Sequence, residues 1–292
     1  MTWILLTLLA AFSQSWRNAF QSKLSADFNV LGVTLARFLW ASPLALLYLI
    51  AIYWWQPAVD LPSFSGSSYF FIVAASVMQI VATALMVVLF KQKNFAIGAG
   101  LAKSEAPVAA LLGVTFFGTS ITLIGWVGVA IGAFAVLMLS CPQGFRSISL
   151  KTALLGLACS TSFALTSLWV REASLSLSLP FPHRAAWVLF LVISLQTVML
   201  SSYLYVKDRV TLIRMFAKPK LVIATSIASV IGSFGWFSAM SLQAVPYVKT
   251  LGQVEVFFTM LISFFWLKES VKRKDIVALV MVAIAAILVM WH

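Results

Sequence analysis

Hydrophobic residues along this chain form continuous runs rich in Ala, Leu, Val and Phe, and they do not alternate with polar residues. A helix of about 20 such residues crosses a hydrocarbon core roughly 30 Å thick, whereas the strands of a membrane barrel would alternate. The pattern therefore predicts an all-α polytopic membrane protein. It places ten transmembrane helices, at residues 3–20, 30–53, 69–90, 95–117, 121–140, 152–170, 185–206, 221–242, 246–267 and 275–291.

The segments between these spans are short and rich in charge or turn-forming residues, as in residues 207–220. None is long enough to hold a soluble domain. The chain also repeats itself: shifted by 150 positions, residues 103–139 fall without a gap on residues 253–289, and Glu105 lands on Glu255. This match indicates a duplication, because a carboxylate is costly inside a membrane span and two coincide here.

A second internal match lies near the beginning of each half, where residues 5–13 resemble residues 154–162 at a shift of 149. We therefore expect two repeats of five helices, residues 1–145 and 146–292. Because five is odd, the second repeat must cross the membrane in the opposite direction. Such inverted repeats are common among secondary transporters, whose substrates bind near the membrane midplane between the halves.

Apolar residues make up 62% of the chain and charged residues 10%, which excludes an ordinary soluble domain. The net charge of +12 does not indicate nucleic-acid binding, because the basic residues lie mostly in short loops. Loops after odd-numbered spans hold 14 of the 20 Lys and Arg residues, whereas loops after even-numbered spans hold only Arg171 and Arg184. The positive-inside rule then predicts that both termini lie outside the cell.

Several motifs occur in a fixed order over essentially the whole chain. They are LARFLWASPLALL at 35–47, Pro107 followed by FFG at 116–118, FFWLKES at 264–270, and small-residue-rich fifth and tenth spans. In these motifs the sequence resembles the ten-span EamA-type exporters of the drug/metabolite transporter superfamily. It departs from that pattern at Gly118 and Thr119, where an acidic residue is usual, and in lacking a second proline in span nine. The resemblance implies secondary transport. It also implies cytoplasmic termini, whereas the count of Lys and Arg residues in the loops predicts termini outside the cell.

Glu105 and Glu255 are the first candidates for chemistry. Glu105 lies ten residues into span four, about 15 Å along a helix, and Glu255 lies at an equivalent depth in span nine. An ionised carboxylate at that depth costs at least a few kcal/mol, so it must have a partner or be protonated. We expect the two glutamates to bind substrate and protons. The alternative is an ion pair that only holds helices together.

Basic residues inside the spans indicate the charge of the substrate. Lys103 and Lys249, with Arg37, are candidates to bind a substrate carboxylate, whereas Arg17 is expected to extend to the membrane surface. Pro107 is expected to kink span four and to leave the carbonyl of Lys103 without its helical partner. Four bases against two acids leave the spans at +2, which favours an anionic or zwitterionic substrate over a cationic one.

The resemblance also implies a cavity between spans three, four, eight and nine, with Gln79, Trp236 and Tyr247 as further candidate binding residues. Trp236 could stack on a substrate or cover a cation, although an aromatic residue in a membrane helix more often only packs. Gly128 and Gly132 form a GxxxG pattern. By the resemblance, this pattern packs span five against span ten and does not dimerise two chains.

No nucleophile, metal-ligand or phosphate-loop motif occurs, so we expect neither an enzyme nor a cofactor. The sequence predicts a multi-pass protein of the cell (inner or plasma) membrane that exports small amphiphilic metabolites such as amino acids, coupled to protons. Two alternatives stay open: a carrier or exchanger of organophosphates or lipid headgroups, and a non-transporting membrane partner. The expected partners are a small-molecule substrate and the lipid bilayer. We expect a monomer, with a dimer as the alternative.

Overall fold

The protein is described here by a computed structural model that covers residues 1–56, 60–91, 104–140, 149–217, 219–266 and 273–291. Every regular element in these ranges is an α-helix, and there are thirteen. In chain order they are α1 Thr2–Leu24, α2 Val30–Ala36, α3 Ala41–Trp55, α4 Gly66–Lys91, α5 Glu105–Phe116, α6 Leu123–Ser140, α7 Leu150–Leu175, α8 His183–Lys207, α9 Arg209–Ala217, α10 Pro219–Leu242, α11 Val245–Gly252, α12 Glu255–Trp266 and α13 Arg273–Met290.

The apolar character of these helices agrees with the predicted all-α membrane fold. Five stretches in the described ranges are long and apolar enough to cross a membrane: Val30–Trp55, Gly66–Lys91, Leu150–Leu175, His183–Lys207 and Pro219–Leu242. Three more apolar helices are shorter: Glu105–Phe116, Leu123–Leu139 and Asp275–Met290. Many large hydrophobic side chains on these helices face outward, as they do where lipid replaces water around a protein.

The helices pack in a definite set of pairs. Three pairings are the most extensive, namely α1 along α10, α4 along α7 and α6 along α13. Smaller contacts join α3 to α8, α5 to α7, α5 to α11, and α1 to both α11 and α12. Most of these pairs join a helix of the first half of the chain to a helix of the second, so the two halves are interleaved.

Two of the predicted spans are not continuous helices. A four-residue turn, 37–40, separates α2 from α3, and Gln253 and Val254 interrupt the span between α11 and α12. In the fourth predicted span the described helix begins only at Glu105, and residues 95–103 lie outside the described ranges. Pro107 is therefore in the first turn of α5, where its missing N–H leaves no helical hydrogen bond unmade. The predicted kink of span four at Pro107 stays a prediction, because the part of the span before Ser104 lies outside the described ranges.

The segment 207–220, expected only as a break between spans, contains the short helix α9. Asp208 accepts a hydrogen bond from the Thr211 N–H at 3.1 Å and another from the Thr211 hydroxyl, which lower the pKa of Asp208. Val210 and Phe216 are exposed on α9. A short basic helix with exposed apolar side chains is suited to lie in the plane of the membrane surface.

The predicted role of the GxxxG pattern in packing span five against span ten is confirmed. A Cβ atom at Gly128 would lie 2.8 Å from Cγ2 of Val289 and 3.2 Å from the carbonyl oxygen of Ala285, both on α13. At Gly132 the added atom would meet the side-chain amide of Gln253. The two glycines therefore let α6 approach α13 and leave room for the residue at the α11–α12 break.

Another close approach joins α1 to α10. A Cβ atom at Gly235 would lie 2.6 Å from the carbonyl oxygen of Leu6 and 2.9 Å from Cβ of Ala10. One turn earlier on the same helix, a Cβ at Gly232 would find its nearest neighbour, Cβ of Ser13, at an ordinary 3.6 Å. Backbone atoms of α1 thus set the spacing at Gly235 but not at Gly232.

We expect Gly235→Ala to lower the thermal stability of the protein, because the backbone of α1 must move, at a cost of about 1–3 kcal/mol. Gly232→Ala is the matched control on the same helix and the same interface. It should be neutral or stabilising, since alanine favours a helix over glycine by about 1 kcal/mol. Thermal unfolding in detergent measures both, and equal stability of the two variants would contradict the packing described here.

Candidate functional site

A polar cavity of about 60 Å³ lies inside the bundle, between α1, α4, α5, α7, α10 and the α11–α12 break. Five charged side chains line it: Arg17, Arg37, Glu105, Lys249 and Glu255. A water molecule needs roughly 10–15 Å³ of such space, so the cavity has room for only a few waters. Charge is thus concentrated in a small space within a bundle of mostly apolar helices.

Glu105 forms one ion pair across this cavity. The Nζ atom of Lys249 lies 2.8 Å from Oε1 of Glu105, and the two side chains are 9% and 14% exposed. The hydroxyl of Ser167 donates a hydrogen bond to the same oxygen at 2.8 Å. Lys249 also lies over the indole of Trp236, with Nζ 4.2 Å from the ring centroid. A carboxylate and an aromatic face together surround this ammonium group.

Glu255, which is 2% exposed, accepts hydrogen bonds from two amide side chains of α1. The Nε2 atom of Gln14 donates to Oε2 of Glu255 at 2.5 Å, and Nδ2 of Asn18 donates to Oε1 at 2.8 Å. The indole N–H of Trp236 donates in turn to Oε1 of Gln14 at 2.8 Å. The carboxylate is therefore solvated by side-chain amides in place of water.

Helix ends place four of the five charges. Glu105 and Glu255 are the first residues of α5 and α12, Lys249 is in the last turn of α11, and Arg37 directly follows α2. A helix dipole favours anions at its N-terminus and cations at its C-terminus by about 0.3–1 kcal/mol, and by up to about 2 kcal/mol where partly buried. Each of these four charges lies at the end that favours it.

Arg17 lies within α1, and the expectation that it extends to the membrane surface is wrong. Its side chain is only 1% exposed, and its Nη2 atom donates to Oδ1 of Asn18 at 3.0 Å. Arg37 is 2% exposed and donates from Nη1 to the hydroxyl of Thr83 at 2.7 Å. Burial removes the Arg17 charge from water, and attraction by Glu255 and Glu105 offsets part of that cost.

Six of the eight binding residues expected from the sequence line this one cavity: Arg37, Gln79, Glu105, Trp236, Lys249 and Glu255. Lys103 lies outside the described residues. Tyr247 lies apart from the cavity, in a pocket of about 530 Å³ that Arg171 also lines. Its hydroxyl accepts the backbone N–H of Thr122 at 3.0 Å, so it joins α11 to the segment before α6.

Gln14, Asn18 and Ser167 are site residues that sequence reasoning missed. The repeat contained the signal for two of them, because the shift of 149 that relates the beginnings of the halves carries Asn18 onto Ser167. Both donate at 2.8 Å to a carboxylate, Asn18 to Glu255 and Ser167 to Glu105. Serine and asparagine on an apolar helix are too common for that coincidence to stand out before the glutamates' partners are known.

Comparison with known proteins identifies the fold but not a family. No family model matches the sequence, and no curated protein matches it. Among solved structures 28 chains match, and one, described only as the crystal structure of a protein, aligns with a TM-score of 0.72 at 14% identity. That alignment covers 100% of this chain and 96% of the other. The arrangement of helices is therefore one that solved structures also have, over the whole length of the chain.

We expect Glu105→Gln and Lys249→Met each to lower the thermal stability, because each leaves its partner's charge unpaired in the cavity. The double variant should be more stable than the sum of the two losses predicts, by about 1–3 kcal/mol. Combining Glu105→Gln with Lys151→Met, an exposed lysine at the start of α7, provides the control and should be additive. An additive result for Glu105 and Lys249 as well would argue against an ion pair.

Proposed function

We propose that the protein is a secondary active transporter of small charged metabolites, with the cavity as its substrate site. The observation that carries this proposal is the set of five charged side chains buried around one cavity in an apolar bundle. Ionisable groups inside a membrane protein are expensive to bury and commonly mark a pathway for a substrate or a proton. Discontinuous helices at such a site are typical of secondary transporters.

The helix pairings support two inverted repeats of five spans. Exchanging the halves replaces α1 by α7, α3 by α8, α4 by α10, α5 by the α11–α12 span, and α6 by α13. Under this exchange the α1–α10 pair becomes the α7–α4 pair, and both are extensive. The α5–α7 pair becomes α12–α1, whereas α3–α8 and α6–α13 map onto themselves. A twofold relation between halves requires this set of contacts.

The site follows the same relation. Each glutamate begins a helix after an interruption or turn, and each accepts a hydrogen bond from the half of the chain it does not belong to. The donors, Ser167 and Asn18, are equivalent under the shift of 149. The cavity thus lies where the two halves meet, which is where alternating access by rocking of one half against the other needs the substrate to bind.

Glu105 is the proposed site of proton coupling, with Glu255 as its counterpart in the other half. A proton added to Glu105 would remove the negative charge that holds Lys249 at 2.8 Å. Lys249 belongs to the opposite half, so loss of this ion pair would loosen the contact between the halves. Because the cavity holds only a few waters, a metabolite must enter through such an opening.

Amino acids and other small amphiphilic metabolites, exported across the cell membrane, are the substrates that the sequence resemblance to EamA-type exporters suggests. Organophosphates or lipid headgroups are the second candidate class, since the same basic side chains would bind a phosphate. A membrane partner without transport activity would need the charges only as ion pairs. The unpaired arginine nitrogens described below favour a bound ligand over a protein in which the charges only form internal ion pairs.

Proton coupling can be tested in proteoliposomes with an imposed pH gradient. We expect Glu105→Gln to abolish gradient-driven accumulation of a substrate, because glutamine has the shape of glutamate but cannot exchange a proton. Counterflow, which needs no net proton movement, should persist in this variant. Glu172→Gln, the same change at a carboxylate outside the cavity, is the matched control and should accumulate substrate as the wild type does. Normal accumulation by Glu105→Gln would exclude it as the coupling group.

The ten-span arrangement can be tested by thiol labelling of single cysteines in a variant that lacks the chain's own. Ser63→Cys lies after the second predicted span and Lys207→Cys after the seventh, and both side chains are exposed. From the charge count we expect a membrane-impermeant reagent to label Ser63→Cys in intact cells and Lys207→Cys only after permeabilisation. The reverse pattern would keep ten spans and place the termini in the cytoplasm, whereas labelling from one side would refute the span count.

A further inference from the structure

The two buried arginines of the cavity have hydrogen-bonding capacity that the protein leaves unused. Nε and Nη1 of Arg17 and Nε of Arg37 are buried and find no hydrogen-bond partner among the described residues. An arginine carries five N–H donors, and burying them unpaired costs free energy. Both guanidinium groups line the cavity, and their like charges repel each other. Both features call for an anion between them.

The acidic side chains of the cavity do not fill that role. Glu105 accepts from Lys249 and Ser167, and Glu255 accepts from Gln14 and Asn18. Although Glu255 attracts Arg17, the Nε and Nη1 atoms of that arginine have no acceptor in the described part of the chain. Three cations against two carboxylates leave the described part of the cavity with one excess positive charge.

One position that would attract a cationic group, beside Glu105, is already occupied by the protein. Lys249 places its ammonium against Glu105 and over the face of Trp236, which is the environment that a substrate amine would seek. The indole N–H of Trp236 is also engaged, by Gln14. The arginines at the cavity therefore keep buried donors without an acceptor among the described residues, whereas Lys249 already fills the environment suited to an ammonium group.

We infer that the substrate is recognised through an oxyanion, a carboxylate or a phosphate, held by Arg17 and Arg37, and that Lys249 takes the place of a substrate amine. This inference rests on the proposed transport function and assigns its substrate class. The planar guanidinium groups match the two oxygens of a carboxylate or of a phosphate edge. An amine on the substrate is not required for binding and gains nothing unless it displaces Lys249.

The test is thermal stabilisation of the purified protein by a series of ligands built on one ring: 3-phenylpropionate, phenyl phosphate, phenylalanine and 2-phenylethylamine. Inorganic phosphate completes the panel as the bare oxyanion. We expect the two pure anions to raise the unfolding temperature of the wild type and the amine to have no effect. A larger rise with 3-phenylpropionate would indicate a carboxylate site, and a larger rise with phenyl phosphate would indicate a phosphate site. Stabilisation by the amine and not by either anion, or by none of the panel, would overturn the inference.

Substitutions then locate the site. Arg37→Met should weaken binding of the anion about tenfold to hundredfold, the loss expected for a charge-assisted hydrogen bond. Without ligand this variant should be at least as stable as the wild type, because an unpaired buried charge has been removed. An arginine with only a structural role would give the opposite result, a less stable variant with unchanged anion binding. Arg209→Met, an exposed arginine on α9, is the control and should bind as the wild type does.

Two further measurements keep the inference separate from the transport proposal. Arg37→Lys retains the charge without the planar donors and should bind anion more weakly than the wild type but better than Arg37→Met. Counterflow in proteoliposomes tests transport itself. If an anion binds through Arg37 but shows no counterflow, the transport proposal fails and the oxyanion site stands. If phenylethylamine shows counterflow and the Arg37→Met variant retains it, the transport proposal stands and the oxyanion site is refuted.

Discussion

The structure depends on how charge can be buried in a bundle whose outer surface is largely apolar. An ion brought into such an interior loses its hydration. Dipoles and counter-charges fixed in the protein must compensate for the lost hydration free energy. Here helix ends provide much of that replacement, and they exist only because α2 is separate from α3, α11 is separate from α12, and α5 begins at Glu105. An unbroken helix in place of α11 and α12 would leave Glu255 and Lys249 without the terminal dipoles that favour their charges.

The break between α11 and α12 depends on glycines on both sides of it, one at the end of α11 and one on the neighbouring α6. Gly252 lies directly against the Trp236 indole, and a Cβ atom there would occupy the space of the ring. Gly132 leaves room on the other side for Gln253, at the break itself. The GxxxG pattern of α6 thus has two consequences: it allows close packing on α13 and it accommodates the non-helical residues next to Glu255. Packing at the periphery of the bundle and geometry at the cavity are set by the same glycines.

Periodicity was sufficient to predict an all-helical fold, and the internal repeat singled out two glutamates that line the same cavity. They could not predict that Glu105 pairs with Lys249, because that contact joins opposite halves and follows from tertiary packing alone. The expectation that the Arg17 side chain extends to the membrane surface is wrong for a similar reason. Its distance from the end of a span suggested that it could reach the surface, whereas contacts of α1 with α10 and α12 turn it inward. Position along a helix gives depth, but not the face on which a side chain lies.

Trp236 connects the two halves of the site. Its ring faces Lys249, the partner of Glu105, while its N–H binds Gln14, the partner of Glu255. A change in the charge of Glu105 would free Lys249 from a position that also fixes the indole. Movement of the indole would in turn withdraw the hydrogen bond that orients Gln14 toward Glu255. The two carboxylates are therefore joined by a continuous series of contacts through one side chain. The proposed coupling between the halves requires a physical connection of this kind.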